Sequence, residues 1–316
     1  MVKPTYVING FLDSGKTSFF RYTLQQPYFK SKDTTLLILC EEGEENYEAG
    51  MLKSTHTVVE RIDDDEQFTV ERLEELDNKY KPERVLIEWN GMWDYRKMKL
   101  PDCWQLEQQM TMVDASSFSM YFSNMKSLVA EQLRNSELIM FNRCDGIDDK
   151  ELAAFKRNVK AINRQGEIIF EDEEGEVNVT LDEDLPFDLT QDPIELNAFG
   201  FGMFYLDALD NLDRYEGKNV HFTGMVLHPS DFPVNRFVPG RMAMTCCADD
   251  MQFLGFVTEY EGAEEFKDRD WVEVTAKVDR EFVEVYKGEG PVLKALEVKK
   301  CAEPKQALID FSKPDA

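Results

Sequence analysis

Residues 10–17 read Gly10-Phe11-Leu12-Asp13-Ser14-Gly15-Lys16-Thr17. This is the pattern G-x-x-x-x-G-K-[ST], and it constrains the chain more than any other segment. The apolar stretch Thr5-Tyr6-Val7-Ile8-Asn9 precedes it and reads as a strand. Residues 18–24 follow and read as a helix. A glycine-rich turn between strand and helix is the setting that a phosphate-binding loop requires. Its backbone N–H groups close on phosphate, aided by the positive end of the helix dipole. In that geometry Lys16 reaches the β- and γ-phosphates and the Thr17 hydroxyl ligates Mg²⁺. Gly10, Asp13, Ser14, Gly15 and Ser18 complete the expected nucleotide contacts.

The rest of the first half fits a fold built around such a loop. Continuous apolar runs at 36–39, 85–87, 110–113, 138–141 and 168–170 read as strands buried on both faces. Phe68, Leu73, Leu76 and Tyr80 share one face of a helix between them, and residues 148–162 form another. Strand–helix alternation predicts a mostly parallel sheet covered on both sides, an α/β P-loop NTPase domain over residues 1–170. Residues 171–198 carry acidic runs and two prolines. They read as an exposed acidic linker, with an acidic hairpin closing the first domain as the alternative. From 199 onward a helix at 204–212 precedes strand-like runs at 220–227, 241–246, 252–258, 271–278 and 292–299. Five short strands in about 100 residues predict a small β-barrel of OB type over 199–316, with a half-open sandwich as the competing form.

The chain has 316 residues and a net charge of −26. That charge argues against nucleic acid and anionic membrane surfaces as partners, since phosphate contacts need clustered Lys and Arg. No run of about 18 apolar residues appears, so no spanning helix is expected. The N-terminus leads straight into the first strand without the pattern of a signal peptide. The six cysteines show no C-x-x-C spacing. They read as reduced thiols, and the expected location is cytoplasmic.

Three further segments suit a nucleotide site. Asn142-Arg143-Cys144-Asp145 ends a strand, where Asp145 can accept from the N1 and N2 groups of guanine. Adenine lacks that donor pair, so the carboxylate selects GTP and GDP. Arg143 offers a planar head to cover the purine face. Glu88-Trp89-Asn90-Gly91 ends another strand, placing an acid near Mg²⁺ and a glycine near the γ-phosphate. Glu41, after a third strand, is a further candidate Mg²⁺ ligand. Asp114 ends a fourth, with helix capping or loop solvation as its equally weighted alternative.

In this order, residues 10–17, Glu41-Glu42-Gly43-Glu44, Glu88-Trp89-Asn90-Gly91, Val113-Asp114-Ala115, Glu131-Gln132 and Asn142-Arg143-Cys144-Asp145 resemble the CobW-type GTPases, over residues 3 to 170. The resemblance implies slow Mg²⁺-dependent GTP hydrolysis, with Lys16 and Glu88 as catalytic residues. It further implies nucleotide-dependent homodimerisation and a switch role in delivery or transport of a metal or cofactor, a metallochaperone. Two departures stand out. The family's C-x-C-C element is missing, and the corresponding region reads Val58 to Glu66 without cysteine. Asp13 stands where the family commonly has glycine, and a carboxylate there repels phosphate unless a cation compensates.

Residues from about 215 resemble the C-terminal domain of a bacterial family whose members are presumed subunits of membrane permeases. The resemblance rests on Tyr215-Glu216-Gly217-Lys218, Phe222 to Val226, Arg236 to Arg241 and Met244 to Asp250, with its Thr-Cys-Cys-x-x-Asp element. It implies a permease partner, and a regulatory subunit with negligible turnover is the alternative function. A P-loop ATPase or small-molecule kinase is a third reading. As thiolates, Cys246 and Cys247 can bind a transition metal such as Zn²⁺ with help from His221, His228 or Asp249. On a strand, neighbouring residues face opposite sides, so one of the pair can instead be core.

Overall fold

The structure is a computed structural model, and it describes residues 2–43, 45–180, 185–244 and 251–311. Cys246 and Cys247 therefore lie outside the described residues. The chain divides into two compact units, Met1–Asp148 with Gln165–Val179, and Asp149–Arg164 with Thr180–Ala316.

The first unit is an α/β P-loop fold. Its strands are β1 (Lys3–Asn9), β2 (Thr35–Leu39), β3 (Thr57–Arg61), β4 (Arg84–Glu88), β5 (Trp104–Asp114), β6 (Leu138–Asn142), β7 (Glu167–Asp172) and β8 (Gly175–Val177). They stand in the order β3-β2-β4-β1-β5-β6-β7-β8. Every neighbouring pair is parallel except β7 and β8. The acidic run after β7 turns this terminal hairpin, with Asp172 accepting from the N–H groups of Glu174 and Gly175. All five residues of β2 are buried, as its continuous apolar run predicts for a strand covered on both faces.

The helices of this unit are α1 (Lys16–Gln25), α2 (Ala49–Ser54), α3 (Val70–Tyr80), α4 (Ala115–Asn124) and α5 (Lys126–Arg134). Phe20 and Leu24 of α1 pack with Ile8, Leu37, Leu86 and Met110 on one face of the sheet. On α3, Leu73 and Leu76 pack with Val7, Leu36 and Ile87. The Thr69 side chain caps α3 by accepting from the Arg72 N–H. Because the strands run parallel, β1, β2, β4, β5 and β6 all end at one edge of the sheet, where open α/β folds bind ligands.

The second unit holds α6 (Asp149–Ile162), β9 (Ile194–Leu196), α7 (Ala198–Asp210), β10 (Asn219–Leu227), β11 (Arg236–Met244), β12 (Met251–Gly255), β13 (Thr258–Glu259), β14 (Trp271–Val283), β15 (Gly288–Cys301) and β16 (Ile309–Asp310). Its sheet runs β12-β11-β13-β15-β14-β10-β9, and β10 also pairs with β11. The pairings β10–β11–β13–β15–β14–β10 thus form a closed circuit. The run expected at 252–258 is divided between two strands, β12 and β13. Helix α7 begins at 198, earlier than its apolar pattern suggests, because Asn197 caps it by accepting from the Gly200 N–H. A Cβ on Gly202 would lie 2.8 Å from Ile309, so this glycine permits close packing of α7 on the last strand. Asp207, fully buried on α7, accepts from Tyr215 Oη at 2.6 Å, Arg214 at 2.9 Å and Asn211 at 2.8 Å. That shell compensates a buried charge.

Candidate nucleotide-binding site

The loop after β1 has the backbone that its glycines allow. Gly10 and Gly15 have φ of 136° and 98°, and Asp13 adopts φ 59°. A Cβ on Gly10 would sit 2.2 Å from the Met112 carbonyl oxygen, and one on Gly91 would sit 2.3 Å from the Gly10 oxygen. Neither position tolerates a side chain, so the phosphate loop and the Glu88–Gly91 segment touch backbone to backbone.

Lys16 is buried at the start of α1, 4% exposed. Its Nζ donates to the carbonyls of Gly10 and Phe11, each at 2.8 Å, and pairs with Glu41 at the end of β2. Thr17 Oγ1 donates to Glu88 at 3.0 Å, and Tyr47 Oη donates to the other Glu88 oxygen. Burial raises the Glu88 carboxyl above its ordinary range, against the opposing hydrogen bonds from Tyr47 and Thr17 and the Lys16 charge. The Tyr47 hydroxyl is raised by burial and by the Glu88 charge. Ser18 Oγ and Arg21 both donate to Glu45. Asp13, Glu41, Glu45 and Glu88 line the same cleft as Lys16 and Arg143. The cleft is rich in hard oxygen donors, and Thr17 and Glu88 already lie within one hydrogen bond of each other, a set that fits Mg²⁺.

The Asn142–Asp145 segment comes to the same edge. Asn142 Nδ2 donates to the Ser14 carbonyl at 2.7 Å and clamps the phosphate loop, while its Oδ1 is buried without a partner among the described residues. Arg143, at φ 55°, pairs with Asp114. Asp114 also caps α4 through the Ser116 N–H, so its capping alternative is the one the fold uses. Burial opposes ionisation of Asp114, but Ser116 and Arg143 outweigh it and hold the carboxyl low. Asp145 is exposed and accepts from the Glu173 N–H at 3.1 Å. The structure thus brings together Gly10, Asp13, Ser14, Gly15, Lys16, Thr17, Glu41, Glu88, Gly91 and Asn142. It sets Arg143 and Asp145 beside them on the next loop.

Tyr47 was not legible as a site residue, because its partner Glu88 lies 41 positions away and the acidic stretch around it reads as solvated. Gln132 is the other omission. On α5 it is buried, and its Nε2 donates to the Gly91 carbonyl at 2.7 Å. In the second unit, His221 shares a hydrogen bond with Thr275, and His228 bonds Asp268 and the Ala263 carbonyl. Among the described residues no group of three or more His, Cys, Asp or Glu side chains is placed to hold a metal ion. Among the described residues no helix is long and apolar enough to cross a membrane.

Fold and loop together define a P-loop nucleotide-binding protein. Residues 4–170 match the CobW/HypB/UreG nucleotide-binding domain, and the chain belongs to that family, whose members are in general GTPases. Residues 173–309 match the DUF1980 C-terminal domain. Among solved structures, the hydrogenase maturation factor HypB from Archaeoglobus fulgidus is 16% identical, with a TM-score of 0.37 over 54% of this chain and 82% of that one. The Zn(II)-bound YjiA GTPase from E. coli is 15% identical, with a TM-score of 0.42 over 74% of each chain. No curated protein matches the sequence.

Proposed function

We propose that this chain binds GTP with Mg²⁺, hydrolyses it slowly, and serves as a switch in delivery or transport of a metal or cofactor. The observation that carries the reading is the Asn142–Ser14 hydrogen bond at 2.7 Å, which ties the base-reading segment to the phosphate loop. Guanine would be read by Asp145, with Arg143 over the purine face. Thr17 and Glu88, joined by Glu41 once Lys16 is released, would hold Mg²⁺, which when bound neutralises charge developing on the phosphate oxygens. Lys16 would exchange the Gly10 and Phe11 carbonyls and Glu41 for the β- and γ-phosphates. Gly91 would offer its N–H to the γ-phosphate while water attacks in line. Lys16 and Glu88 are the residues on which turnover depends.

The carboxylate-lined cleft supports slow turnover. Asp13 and Glu45 add negative charge where a polyanion must enter. The same feature favours a second reading, a nucleotide-binding regulatory subunit with negligible hydrolysis that docks on a membrane permease. We take 1–170 and 199–316 as the functional domains, joined by 171–198. The closed strand circuit supports a small OB-like barrel in the second. A homodimer and a cytoplasmic location accord with the family resemblance, and Zn²⁺ at Cys246 and Cys247 remains part of the proposal. Calorimetric titration with GTP, GDP and ATP, followed by steady-state hydrolysis with and without Zn²⁺, Co²⁺ and Ni²⁺, tests the reading. Equal affinity for ATP and GTP would overturn it. Guanine-selective binding without measurable hydrolysis under any metal would favour the regulatory subunit.

A further inference from the structure

Three side chains of one loop close on the nucleotide cleft, and each occupies a group that the ligand needs. The loop follows β2 and carries Glu41, Glu45 and Tyr47. Glu41 pairs with Lys16. Glu45 accepts from Ser18 Oγ at 2.6 Å and from Arg21 at 3.0 Å. Tyr47 Oη donates to Glu88 Oε1. The chemistry of these contacts mirrors that of a metal-bound nucleotide. Two carboxylates meet donors that would face phosphate. One hydroxyl proton meets the carboxylate that would face the cation.

Glu88 shows what the hydroxyl does. The residue is 4% exposed, and a buried carboxylate short of partners is costly. Thr17 Oγ1 donates to its Oε2 at 3.0 Å. That bond is compatible with a bound cation, because the Thr17 oxygen keeps lone pairs to offer. The Tyr47 bond is not compatible, since it fills Oε1 with a proton and sets a ring beside it. The ring is anchored away from the cleft, against the apolar cluster that includes Leu37 and Leu39. Tyr47 thus satisfies Glu88 while no cation is bound, and must leave before Oε1 can take one.

We propose that this loop is an autoinhibitory strap, a built-in surrogate of the ligand in which Glu41 and Glu45 stand in for phosphate and Tyr47 for the cation. The inference rests on the proposed nucleotide function and adds to it a self-occupied resting state. Tyr47 is a positioning residue, acting through Glu88. Strap and ligand compete for Lys16, Ser18 and Glu88, so binding of one displaces the other. By linkage, whatever holds the strap away from the cleft tightens nucleotide, and nucleotide tightens whatever holds the strap away, by the same factor. The two kinds of surrogate also act separately. Glu45 opposes nucleotide with or without Mg²⁺, whereas Tyr47 opposes only what Glu88 would hold.

The test measures GDP affinity of the full chain by calorimetry, once with Mg²⁺ and once with EDTA, and hydrogen exchange of residues 45–54 by mass spectrometry. In Tyr47→Phe the affinity in EDTA should stay within about twofold of the parent, and the affinity with Mg²⁺ should rise about threefold or more. In Glu45→Gln it should rise about threefold or more in both conditions. Glu42 is exposed on the same loop. Glu42→Gln removes an equal charge without touching Lys16, Ser18 or Glu88, and should leave both affinities within about twofold of the parent. Exchange at 45–54 should quicken about threefold or more when Mg²⁺ and GDP saturate the parent, and also in nucleotide-free Tyr47→Phe. Unchanged exchange in the saturated parent overturns displacement of the strap. Affinities of Tyr47→Phe that move together in Mg²⁺ and EDTA, as they would if the ring merely packed, overturn the gate on Glu88. Equal effects of Glu42→Gln and Glu45→Gln overturn Glu45 as a phosphate surrogate. A parent that binds no GDP overturns the nucleotide reading and the strap with it, whereas GDP binding together with any of the other failures overturns the strap alone.

Discussion

Lys16 is held by Glu41 and two backbone carbonyls before any phosphate arrives. The lysine is thereby preorganised at the loop and also masked. Replacing Glu41 with Ala removes one competitor for its charge. GDP measured without Mg²⁺ should then bind about five-fold tighter, a gain of roughly 1 kcal/mol. Lys16→Ala should abolish hydrolysis, because the γ-phosphate loses its main protein cation. Glu88→Gln should slow turnover while leaving GDP affinity near the parent value. Steady-state rates and calorimetry on the same preparations check all three. Asp145→Ala should weaken GDP by roughly 2–4 kcal/mol, since the purine donors lose a charged acceptor. Parent-like GDP binding in that variant would remove Asp145 from base recognition.

At the scale of elements, four strands of the second sheet are joined by one charge cluster. Arg236 of β11 bonds Glu259 of β13 at 2.8 Å and Glu281 of β14 at 2.8 Å, and Lys294 of β15 pairs with both acids. The hydrogen bond from Lys294, with help from Arg236, lowers the Glu259 carboxyl below its ordinary 4.5. A lowered carboxyl means the folded chain holds fewer protons than the unfolded chain near that pH. The stabilisation is therefore complete above about pH 4.5 and is lost as pH falls through the lowered value. Glu259→Gln should cost about 1 kcal/mol at pH 7, and thermal melts should show the difference from the parent closing as the pH falls below the ordinary carboxylate range. The same strands illustrate what a sequence discloses. β2, β4 and β6 were legible because they are short, apolar and bounded. β3 was not, because Thr57–Arg61 is an edge strand with only Val58 and Val59 to mark it. The first half of β5 was hidden by Gln105, Glu107 and Gln108, and α4 and α5 by the polar spacing of 115–134. In the site, the glycine loop and Asn142–Asp145 were legible as local patterns. The Tyr47–Glu88 and Gln132–Gly91 bonds were not, since each joins residues 41 positions apart and arises only from the sheet order.

For the whole molecule, the decisive feature is how the chain is shared out. Helix α6, residues 149–162, is flanked in sequence by strands of the first unit, yet it belongs to the second. There Lys160 pairs with Asp210 of α7 at 3.1 Å, and Arg157 lies over the Phe199 ring. The polypeptide passes between the units three times, at residues 148/149, 164/165 and 179/180. A fragment ending at residue 170 should accordingly be less soluble than the full chain, because α6 loses the Lys160–Asp210 ion pair, the Arg157–Phe199 contact and the packing of Ala161 in the apolar cluster of the second unit. Sedimentation of that fragment against the full chain checks this. In terms of inheritance, a crossover between genes at residue 170 would deliver a nucleotide-binding half with a stranded helix. The partner half would be missing one. A swap that left both halves whole would have to move residues 149–164 together with everything after 180, which no single recombination event can do. The two halves are thus bound to evolve as a pair, and substitutions on α6 and α7 should be found to compensate one another even though 35 positions separate the two helices.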